Sequence, residues 1–403
     1  MSGPELITLG CRLNIAESEA IRALAAGQDD LIVVNSCAVT AEAVRETRKA
    51  IRRASRARPD ARIFVTGCAA QIEPQSFAAM PEVARVIANT EKLHPSSFQR
   101  KLESPFTPVP LPVSSHARAF VEVQNGCDHR CTFCIIPYGR GDSRSVPAGL
   151  VIDRIKALVD AGQREVVLTG VDLTSYGPDL PGAPSLGQLV ERILRHVPDL
   201  PRLRLSSLDS VEIDERLFDL VTSETRLMPH LHLSLQAGDD MILKRMKRRH
   251  SRAQAIDIIA RLKARRPEIA IGADIIAGFP TETEDMFANS LALIEECGIV
   301  FGHIFPFSPR EGTPAARMPQ VDRETVKARA RRLREAASAR QAAWLATMVG
   351  TEQQVLIERD GQSGHAENFA SVRLHSDDSS LAGKVVPVRI TAVEGATLTG
   401  VPA

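Results

Sequence analysis

The spacing of apolar residues predicts short buried strands that alternate with helices over most of the chain. Near its start, the apolar runs in ITLG, LIVVNS and RIFVTG are typical of buried strands, and TAEAVRETRKAIRRASRA has helical spacing. Strands that alternate with helices favour a parallel sheet. We therefore expect residues 1–95 to form a small open α/β domain.

A proline- and serine-rich stretch, residues 96–116, interrupts this alternation, and its sequence SPFTPVPLPVSS favours an extended linker. From residue 117 to about 340 the alternation resumes. Six strand-like runs are each followed by a helical pattern: ARAFVEV, REVVLTG, LRLSS, HLHLSLQ, IAIGADIIAG and VFGHIFPF. Six βα units match an incomplete (βα)6 barrel, and such barrels place functional residues at the carboxyl ends of their strands.

The last part of the chain, residues 341–403, has a different pattern. Its short alternating runs, QQVLIERD, ASVRLHS, KVVPVRITAVEG and ATLTGV, are separated by glycine, serine and aspartate. We expect a small antiparallel β-barrel here. The fold class predicted for the whole chain is therefore α/β with an all-β C-terminal domain.

The composition of the chain indicates the class of protein and its expected location, but not its chemistry. The chain has 403 residues, 44% apolar and 25% charged, with a net charge of +1, all ordinary for a globular protein. It has no apolar stretch long enough to span a membrane. The start MSGPELITLGC lacks the segments of a secretory signal peptide, and seven cysteines is an odd number. We expect a cytoplasmic protein with reduced thiols.

Three closely spaced cysteines, Cys127, Cys131 and Cys134, are the strongest chemical signal in the chain. A 4Fe-4S cluster normally takes four thiolates, so a CxxxCxxC triad leaves one iron open for a ligand that is not protein. Structural zinc usually needs a second pair of ligands, and the chain has no second CxxC. Zinc remains the alternative on this spacing.

Three further cysteines, Cys11, Cys37 and Cys68, each follow a predicted strand. The carboxyl ends of parallel strands meet at one edge of a sheet, where ligands bind, so these thiols are expected to converge. The alternative is that they are buried and act as small apolar side chains. Cys297, at the end of a predicted helix, has no cysteine nearby in sequence and is interpreted as a core residue.

The motifs around these cysteines resemble those of the radical S-adenosylmethionine (SAM) methylthiotransferases. Phe133 precedes the last cysteine of NGCDHRCTFCIIPYGRGDSRS, and TLGCRLN, VVNSCAVT and VTGCAAQ are similar to the family's three N-terminal motifs. Ile15 and Ala16 stand where the family has Gln-Tyr, and Ala69 replaces an aromatic residue. These differences leave every cysteine in place.

The resemblance implies two 4Fe-4S clusters and SAM, which is consumed both as methyl donor and as radical source. An auxiliary cluster that carries the transferred sulfur would use the N-terminal set, Cys11, Cys37 and Cys68. The SAM-cleaving cluster would use Cys127, Cys131 and Cys134. The organic chemistry belongs to the cofactors, while the protein positions them.

The resemblance also implies a SAM site at the carboxyl ends of the barrel strands. Polar residues that follow the predicted strands include the candidates Gly170, Asp172, Ser206 and Gln236. Ser207, Asp274 and Gly278 occupy similar positions. The alternative for each of these residues is a role in a turn. At the C-terminus, the predicted small barrel resembles a TRAM domain, an RNA-binding module.

The tripeptide Ser234-Leu235-Gln236 resembles the branch that acts on N6-threonylcarbamoyladenosine at position 37 of tRNA. The isopentenyladenosine branch has Pro-Val-Gln there, and the branch that modifies a ribosomal-protein side chain has Pro-Leu-Gln-His. Both remain alternatives. A further alternative is a non-catalytic iron–sulfur protein that binds RNA or transfers electrons.

A basic segment next to this tripeptide is the candidate RNA contact, with Lys244, Lys247, Arg248 and Arg249 expected to hold phosphates. The alternative is a solvated helix face, which is the commoner role of a basic run. The expected partners are the tRNA anticodon loop, an electron donor and iron–sulfur assembly proteins, with no membrane.

Overall fold

The computed structural model describes residues 3–98, 116–375 and 378–403. The predicted linker, residues 96–116, therefore lies mostly outside the described residues. The first part of the chain forms one parallel sheet with helices on both faces. Its strands are β1 (Glu5–Thr8), β2 (Leu31–Ser36), β3 (Arg62–Gly67) and β4 (Arg85–Val86), in that order across the sheet, and its helices are α1 (Arg12–Leu24), α2 (Ala41–Ala57), α3 (Cys68–Ile72) and α4 (Pro74–Ala78).

The central strand β2 shows why this sheet needs helices on both faces. All six of its residues are buried, and alternate side chains enter two separate apolar clusters. Ile32 and Val34 pack with Ile51 of α2, while Leu31 and Val33 pack on the opposite side with Ile21 of α1. A strand buried on both faces is typical of parallel sheets. The predicted open α/β domain is confirmed.

The central part of the chain contains six parallel strands in two sheets of three. The strands and helices between residues 118 and 346 are β5 (Arg118–Glu122), β6 (Gln124–Asn125), α5 (Ile136–Arg140), β7 (Arg144–Ser145), α6 (Ala148–Asp160), β8 (Glu165–Thr169), α7 (Leu186–His196), β9 (Arg202–Leu205), α8 (Glu215–Ser223), β10 (His230–Gln236), α9 (Asp240–Met246), α10 (Arg252–Arg265), β11 (Ala270–Ala277), α11 (Glu284–Glu296), β12 (Ile299–Pro306) and α12 (Arg323–Ala346). Among the helices of the described residues, none is long and apolar enough to cross a membrane.

The two sheets, β5-β8-β9 and β10-β11-β12, are linked by a parallel bridge between Leu208 and Leu233. Together they form the predicted incomplete (βα)6 barrel, which is confirmed. Alternate residues of each strand point outward to the helices, as Leu231 and Leu233 do in the main apolar core. Cys297 is 1% exposed in the same core, as expected.

The other residues of each strand face the inside of the barrel, which we call the lumen. At the amino ends of the strands, the lumen is lined by Arg118, Glu165, Arg202 and His230, all of them buried. Interiors of (βα)8 barrels are usually filled by branched apolar side chains. Here the lumen is polar, which suits a ligand better than a packed core.

The last part of the chain forms the predicted small β-barrel. Its strands are β13 (Glu352–Ile357), β14 (Ser363–Ala366), β15 (Ser371–Leu374), β16 (Val385–Glu394) and β17 (Thr397–Pro402), closed in the order β13-β14-β15-β17-β16. Four neighbouring pairs are antiparallel and the pair β15-β17 is parallel. The prediction of a barrel is confirmed, with that one parallel pairing added.

This C-terminal barrel covers the amino end of the lumen. Phe369, in the turn between β14 and β15, stacks on His230 with ring centroids 4.9 Å apart. Arg204 donates to the carbonyl oxygens of Ala366 and Glu367 at 2.9 and 2.8 Å. These contacts close the amino end of the lumen.

Candidate active site

The three N-terminal cysteines lie at the carboxyl edge of the first sheet. Cys11 follows β1 and caps α1, Cys37 follows β2, and Cys68 begins α3 directly after β3. Gly10 has a φ of +101°, and a Cβ atom added to it would lie 2.9 Å from the Sγ of Cys37. The backbone before Cys11 thus packs directly against the second thiol, which only glycine permits.

The central triad lies in the loop between β6 and α5, at the carboxyl end of the barrel. The amide of Cys134 donates to the carbonyl of Cys131 at 3.1 Å, and the Sγ of Cys127 lies 3.6 Å from a carboxylate oxygen of Asp172. The guanidinium of Arg248 lies 3.8 Å from the Sγ of Cys131. Arg248 is thus a donor to one sulfur of the triad, which suits a negatively charged thiolate.

Burial keeps three of these six thiols neutral in the absence of metal. It raises the pKa of Cys37 to about 11 and the pKa values of Cys127 and Cys134 to about 12. The thiolate is the metal ligand, so assembly of a cluster at either triad must release protons.

The two triads face each other where the first sheet meets the barrel. A Cβ atom added to Gly139, on α5, would lie 3.3 Å from the Cβ of Cys68. After burial, neighbouring thiols that raise the pKa of Cys134 include both Cys131 of its own triad and Cys68 of the other. The fold therefore brings together two sets that are about 60 residues apart in sequence.

A buried ion cluster joins the two parts of the chain beside the triads. Glu17 of α1 lies 2.6 Å from Lys92 and 2.6 Å from Arg140 of α5, and all three side chains are at most 2% exposed. Arg140 also donates to Asn14 at 2.6 Å and to Asn125 at 3.1 Å. Asn14 lies close to Cys11 in sequence, and Asn125 lies close to Cys127. One guanidinium therefore binds a residue beside each triad.

The charges in this cluster are fixed by its geometry. Burial alone would raise the pKa of Glu17, but Lys92 and Arg140 lower it to about 2. Burial lowers the pKa of Lys92, whereas the pKa of Arg140 is raised by Glu17 despite burial. Glu17 and Arg140 are therefore both charged at neutral pH.

The candidate SAM residues lie at the carboxyl ends of β8, β9 and β10. Gly170 packs against Gln124, whose side-chain oxygen accepts from the amide of Asp172 at 2.9 Å. Ser206 is buried, and its hydroxyl has no hydrogen-bond partner among the described residues. Gln236 ends β10 with a φ of +66°. An unpaired hydroxyl at this position suits a polar ligand.

Asp172 contacts two side chains besides that of Cys127. It lies 2.8 Å from the Nε2 of His129 and accepts from the hydroxyl of Ser175 at 2.8 Å. Hydrogen bonds to Asp172 and Glu212 raise the pKa of His129 to about 10. The aspartate is therefore held between an imidazolium and a triad cysteine.

The basic segment divides into exposed and buried members. Lys244 and Lys247 are exposed, and Arg249 is 41% exposed and lies 2.7 Å from Glu212. The side chain of Arg248 is only 8% exposed; it lies 2.8 Å from Asp209 and donates to the carbonyl of Ser234 at 2.7 Å. The prediction that Arg248 holds phosphate is corrected, because this guanidinium points inward.

Several residues of the site escaped sequence reasoning. Glu17, Lys92 and Arg140 are far apart in sequence, and no local pattern pairs them. His232 and His303 contact Asp274 in the lumen, at 2.9 and 3.4 Å. The alternation in HLHLS could have assigned His230 and His232 to one face of β10, opposite the leucines.

The fold and the open-iron triad define the class of the protein as a radical SAM enzyme. Residues 121–294 match the radical SAM superfamily, and residues 5–88 match the "Uncharacterized protein family UPF0004". The chain is 47% identical to the threonylcarbamoyladenosine tRNA methylthiotransferase MtaB of Rickettsia prowazekii, over 97% of this chain and 95% of that protein. It belongs to the radical SAM methylthiotransferase family, as its motifs predicted.

Other relatives support the same family. The MtaB protein of Bacillus subtilis is 33% identical over 95% of this chain and 92% of its own length. The tRNA-2-methylthio-N(6)-dimethylallyladenosine synthase of Erythrobacter litoralis is 32% identical over 88% of this chain and 86% of its own length. A solved radical SAM methyltransferase, TsrM of Kitasatospora setae, shares the fold, with a TM-score of 0.51 and 16% identity over 76% of this chain and 68% of that chain. Membership in the radical SAM superfamily implies a 4Fe-4S cluster and SAM.

The close approach of Gly10 to Cys37 gives a test of the N-terminal triad. We expect Gly10→Ala to lose about half of the iron of reconstituted protein, because the new methyl group overlaps the thiol of Cys37. Iron per chain after anaerobic reconstitution is the measurement. Gly27→Ala is the matched control, since Gly27 also has a positive φ, +80°, but has no atom within 4 Å of the added Cβ. Equal iron in the two variants would contradict the packing argument.

The Glu17 cluster predicts a pH dependence of stability. The folded-state pKa of Glu17, about 2, lies below its ordinary value of 4.5, so its contribution is present above pH 4.5 and is lost as the pH falls toward 2. We expect Glu17→Gln to be less stable than wild type at pH 7 by on the order of 3 kcal/mol, with a gap that narrows below pH 4.5.

Urea unfolding at several pH values measures this gap. Glu46→Gln is the control, because Glu46 pairs with Lys49 on the exposed face of α2. A gap between wild type and Glu17→Gln that stays constant from pH 7 to pH 3 would refute the assignment.

Proposed function

We propose that the protein is a tRNA methylthiotransferase that places a methylthio group on C2 of N6-threonylcarbamoyladenosine at position 37. The observation that carries the proposal is the juxtaposition of two cysteine triads across Cys68 and Gly139. Two sets of three ligands are what an enzyme needs if one centre delivers sulfur while another activates SAM. The relatives from Rickettsia prowazekii and Bacillus subtilis, named for this substrate, support the choice of base.

Each triad would hold one 4Fe-4S cluster. The ligands would be Cys11, Cys37 and Cys68 in the first part of the chain, and Cys127, Cys131 and Cys134 in the barrel. When bound, the clusters and SAM supply the transferred sulfur, the methyl group and the electron that splits SAM. The proposed division of the chain into residues 1–95, 96–116, 117–340 and 341–403 separates the sulfur-donating domain, a linker, the SAM-binding barrel and an RNA-binding domain.

The protein's own residues would bind and orient the reactants. The unpaired hydroxyl of Ser206, with Gly170 and Gln236 at neighbouring strand ends, suits the polar atoms of SAM. Asp172 would lie beside the cluster of the central triad, since its carboxylate contacts the thiol of Cys127. The Glu17–Arg140 pair would fix the separation of the triads, and the C-terminal barrel would exclude water from the amino end of the lumen.

The RNA would lie across the carboxyl end of the barrel, where Lys244, Lys247 and Arg249 could contact phosphates. Position 37 lies in a loop, whose bases can be splayed out for recognition. Removing such a base costs less than flipping one from a duplex, about a few kcal/mol. An electron donor, iron–sulfur assembly proteins and a cytoplasmic location complete the proposal.

One alternative has its own support. The relative from Erythrobacter litoralis is named for dimethylallyladenosine in tRNA, and it shares 32% identity with this chain. The same chemistry on that base, or on a ribosomal-protein side chain, differs from our proposal only in the substrate. A non-catalytic iron–sulfur protein would form no product at all.

Iron counting and nucleoside analysis test the proposal together. We expect about eight irons per reconstituted chain and about four in the Cys127/Cys131/Cys134 triple alanine variant, because the triads would bind independently. With SAM and dithionite, wild type should convert threonylcarbamoyladenosine in tRNA to its 2-methylthio derivative, detected by mass spectrometry of digested nucleosides. The triple variant should form none.

The controls separate the alternatives. Transfer RNA that carries dimethylallyladenosine and ribosomal protein are offered under the same conditions. Product from either of these, with none from threonylcarbamoyladenosine, would replace the proposed substrate. If wild type bound only four irons and the triple variant bound none, the N-terminal cysteines would be packing residues and not cluster ligands.

The exposed lysines predict how tRNA binds. We expect Lys244→Glu with Lys247→Glu to weaken tRNA binding and to flatten its dependence on salt, because phosphate contacts release counterions. Binding is measured by filter assay at several salt concentrations. The double variant Lys49→Glu with Lys327→Glu makes the same change in net charge on the exposed faces of α2 and α12. Equal weakening in both double variants would argue against a local contact.

A further inference from the structure

Arg12 is the first residue of α1 and directly follows Cys11. Its guanidinium reaches the lumen, where it lies over the ring of Phe369 at 5.5 Å from the centroid. Burial lowers the pKa of Arg12, as do the nearby Arg118 and Arg204 of the barrel wall. A single residue therefore connects the N-terminal triad with the inside of the barrel.

Arg12 differs from the other lumen arginines because it has no polar partner. Among the described residues, it makes no hydrogen bond and no ion pair, and Phe369 is its aromatic contact. Arg204, in contrast, lies 2.8 Å from Glu165, and Arg202 donates to the carbonyl of Gln354 at 2.8 Å. None of the nitrogens of Arg12 is among the fully buried atoms that lack a partner, so the guanidinium of this half-buried residue is accessible to an acceptor that a ligand supplies.

The lumen near Arg12 is partly accessible to solvent. Asp274, which acts electrostatically on Arg12, is 21% exposed, and its neighbour His303 is 59% exposed, and both lie midway along their strands. Asp274 is already paired with His232 and His303. Glu165, the other carboxylate that acts electrostatically on Arg12, is paired with Arg204, so both carboxylates are occupied and Arg12 is left to meet an acceptor from outside the chain.

A metal ion is the competing occupant. The ligand atoms of His232, Asp274 and His303 lie within 4.8 Å of one another and could hold a cation. Arg118 and Arg204 are paired with Glu165, but Arg12 stands nearby without an ion pair among the described residues, and its charge makes a dication beside it electrostatically unfavourable. The unpaired positive charge favours an anion instead.

We propose that Arg12 binds the carboxylate of the threonylcarbamoyl group of the substrate base, an inference that rests on the proposed function. The group on N6 carries the only carboxylate of the modified base, and a guanidinium is the side chain best shaped to bind one. Arg12 follows Cys11, so the anchored group lies beside the triad proposed to deliver sulfur. A dimethylallyl group offers no charge for this residue.

SAM also carries a carboxylate and is the second possible source of the same chemistry. The proposed SAM site belongs to the central triad and to Ser206, whereas Arg12 belongs to the N-terminal triad. The assignment to the base rather than to SAM is therefore tested directly, by measuring RNA binding and SAM cleavage separately.

The experiment compares two anticodon stem-loop RNAs with reconstituted enzyme. One RNA carries threonylcarbamoyladenosine, and the other carries the neutral carboxamide of the same group. Fluorescence anisotropy under anaerobic conditions gives the affinity for each. We expect wild type to prefer the acid by about tenfold or more, and Arg12→Gln to lose this preference by weakening only the acid RNA. Arg12→Lys should restore part of it.

Arg22→Gln is the matched control, because Arg22 is exposed on the same helix. It should keep the full preference. Iron content and release of 5′-deoxyadenosine without RNA are measured in both variants and should be unchanged in Arg22→Gln. A preference for the acid that survives in Arg12→Gln would overturn the inference, as would a loss of SAM cleavage with RNA binding intact. Tight binding of Mn²⁺ alone that disappears in His303→Ala would assign the site to a metal instead.

Failure of the proposed function gives a different result. In that case, wild type forms no 2-methylthio product on the acid RNA, whatever its affinity. If wild type forms the product and Arg12→Gln still distinguishes acid from carboxamide, only the carboxylate site is wrong.

Discussion

The buried ion pair between Glu17 and Arg140 is the constraint on which the site depends. It crosses from the first sheet to the barrel, and Arg140 also binds Asn14 and Asn125, which flank the two triads. Taking two charges out of water is favourable only when geometry and further hydrogen bonds compensate, and removing one partner leaves a buried charge. The pair therefore specifies one relative placement of sheet and barrel. The proposed sulfur-donating and SAM-activating centres would need such a fixed separation, which apolar packing alone would define less sharply.

The polar lumen follows from the way the barrel is closed. Its amino end is covered by a separate β-barrel, so arginines on β5 and β9 find acceptors on that domain instead of packing with branched apolar residues. Phe369 provides the apolar surface, stacked on His230 and faced by guanidinium groups. The C-terminal barrel thus has a structural role in the central one, in addition to any contact with RNA. A substrate pocket lined by charge can accept a charged modification, which an apolar interior would exclude.

Sequence patterns predicted the architecture because it rests on local signals. Period-two runs and helical segments located the strands of both barrels, and the position of Cys11, Cys37 and Cys68 after strands placed them at one edge. Their role as ligands remains a prediction. The error at Arg248 has a physical cause, because a basic run does not reveal that Asp209, nearly 40 residues away, buries one of its members. The pairing of Glu17 with Arg140 could not be predicted for the same reason, since the two residues are far apart in sequence.

Three consecutive residues summarise how the chain separates chemistry from specificity. Gly10 makes room for Cys37, Cys11 is a proposed cluster ligand, and Arg12 enters the lumen. The first two are restricted by backbone sterics and by metal ligation, so few substitutions there keep a cluster. Arg12 has no such restriction, since its side chain packs on Phe369 and makes no hydrogen bond or ion pair within the described chain. A change at this one position could alter which modified base is accepted while both triads stay intact. Binding at the far end of the base would then position C2 for reaction without any change in the reacting groups.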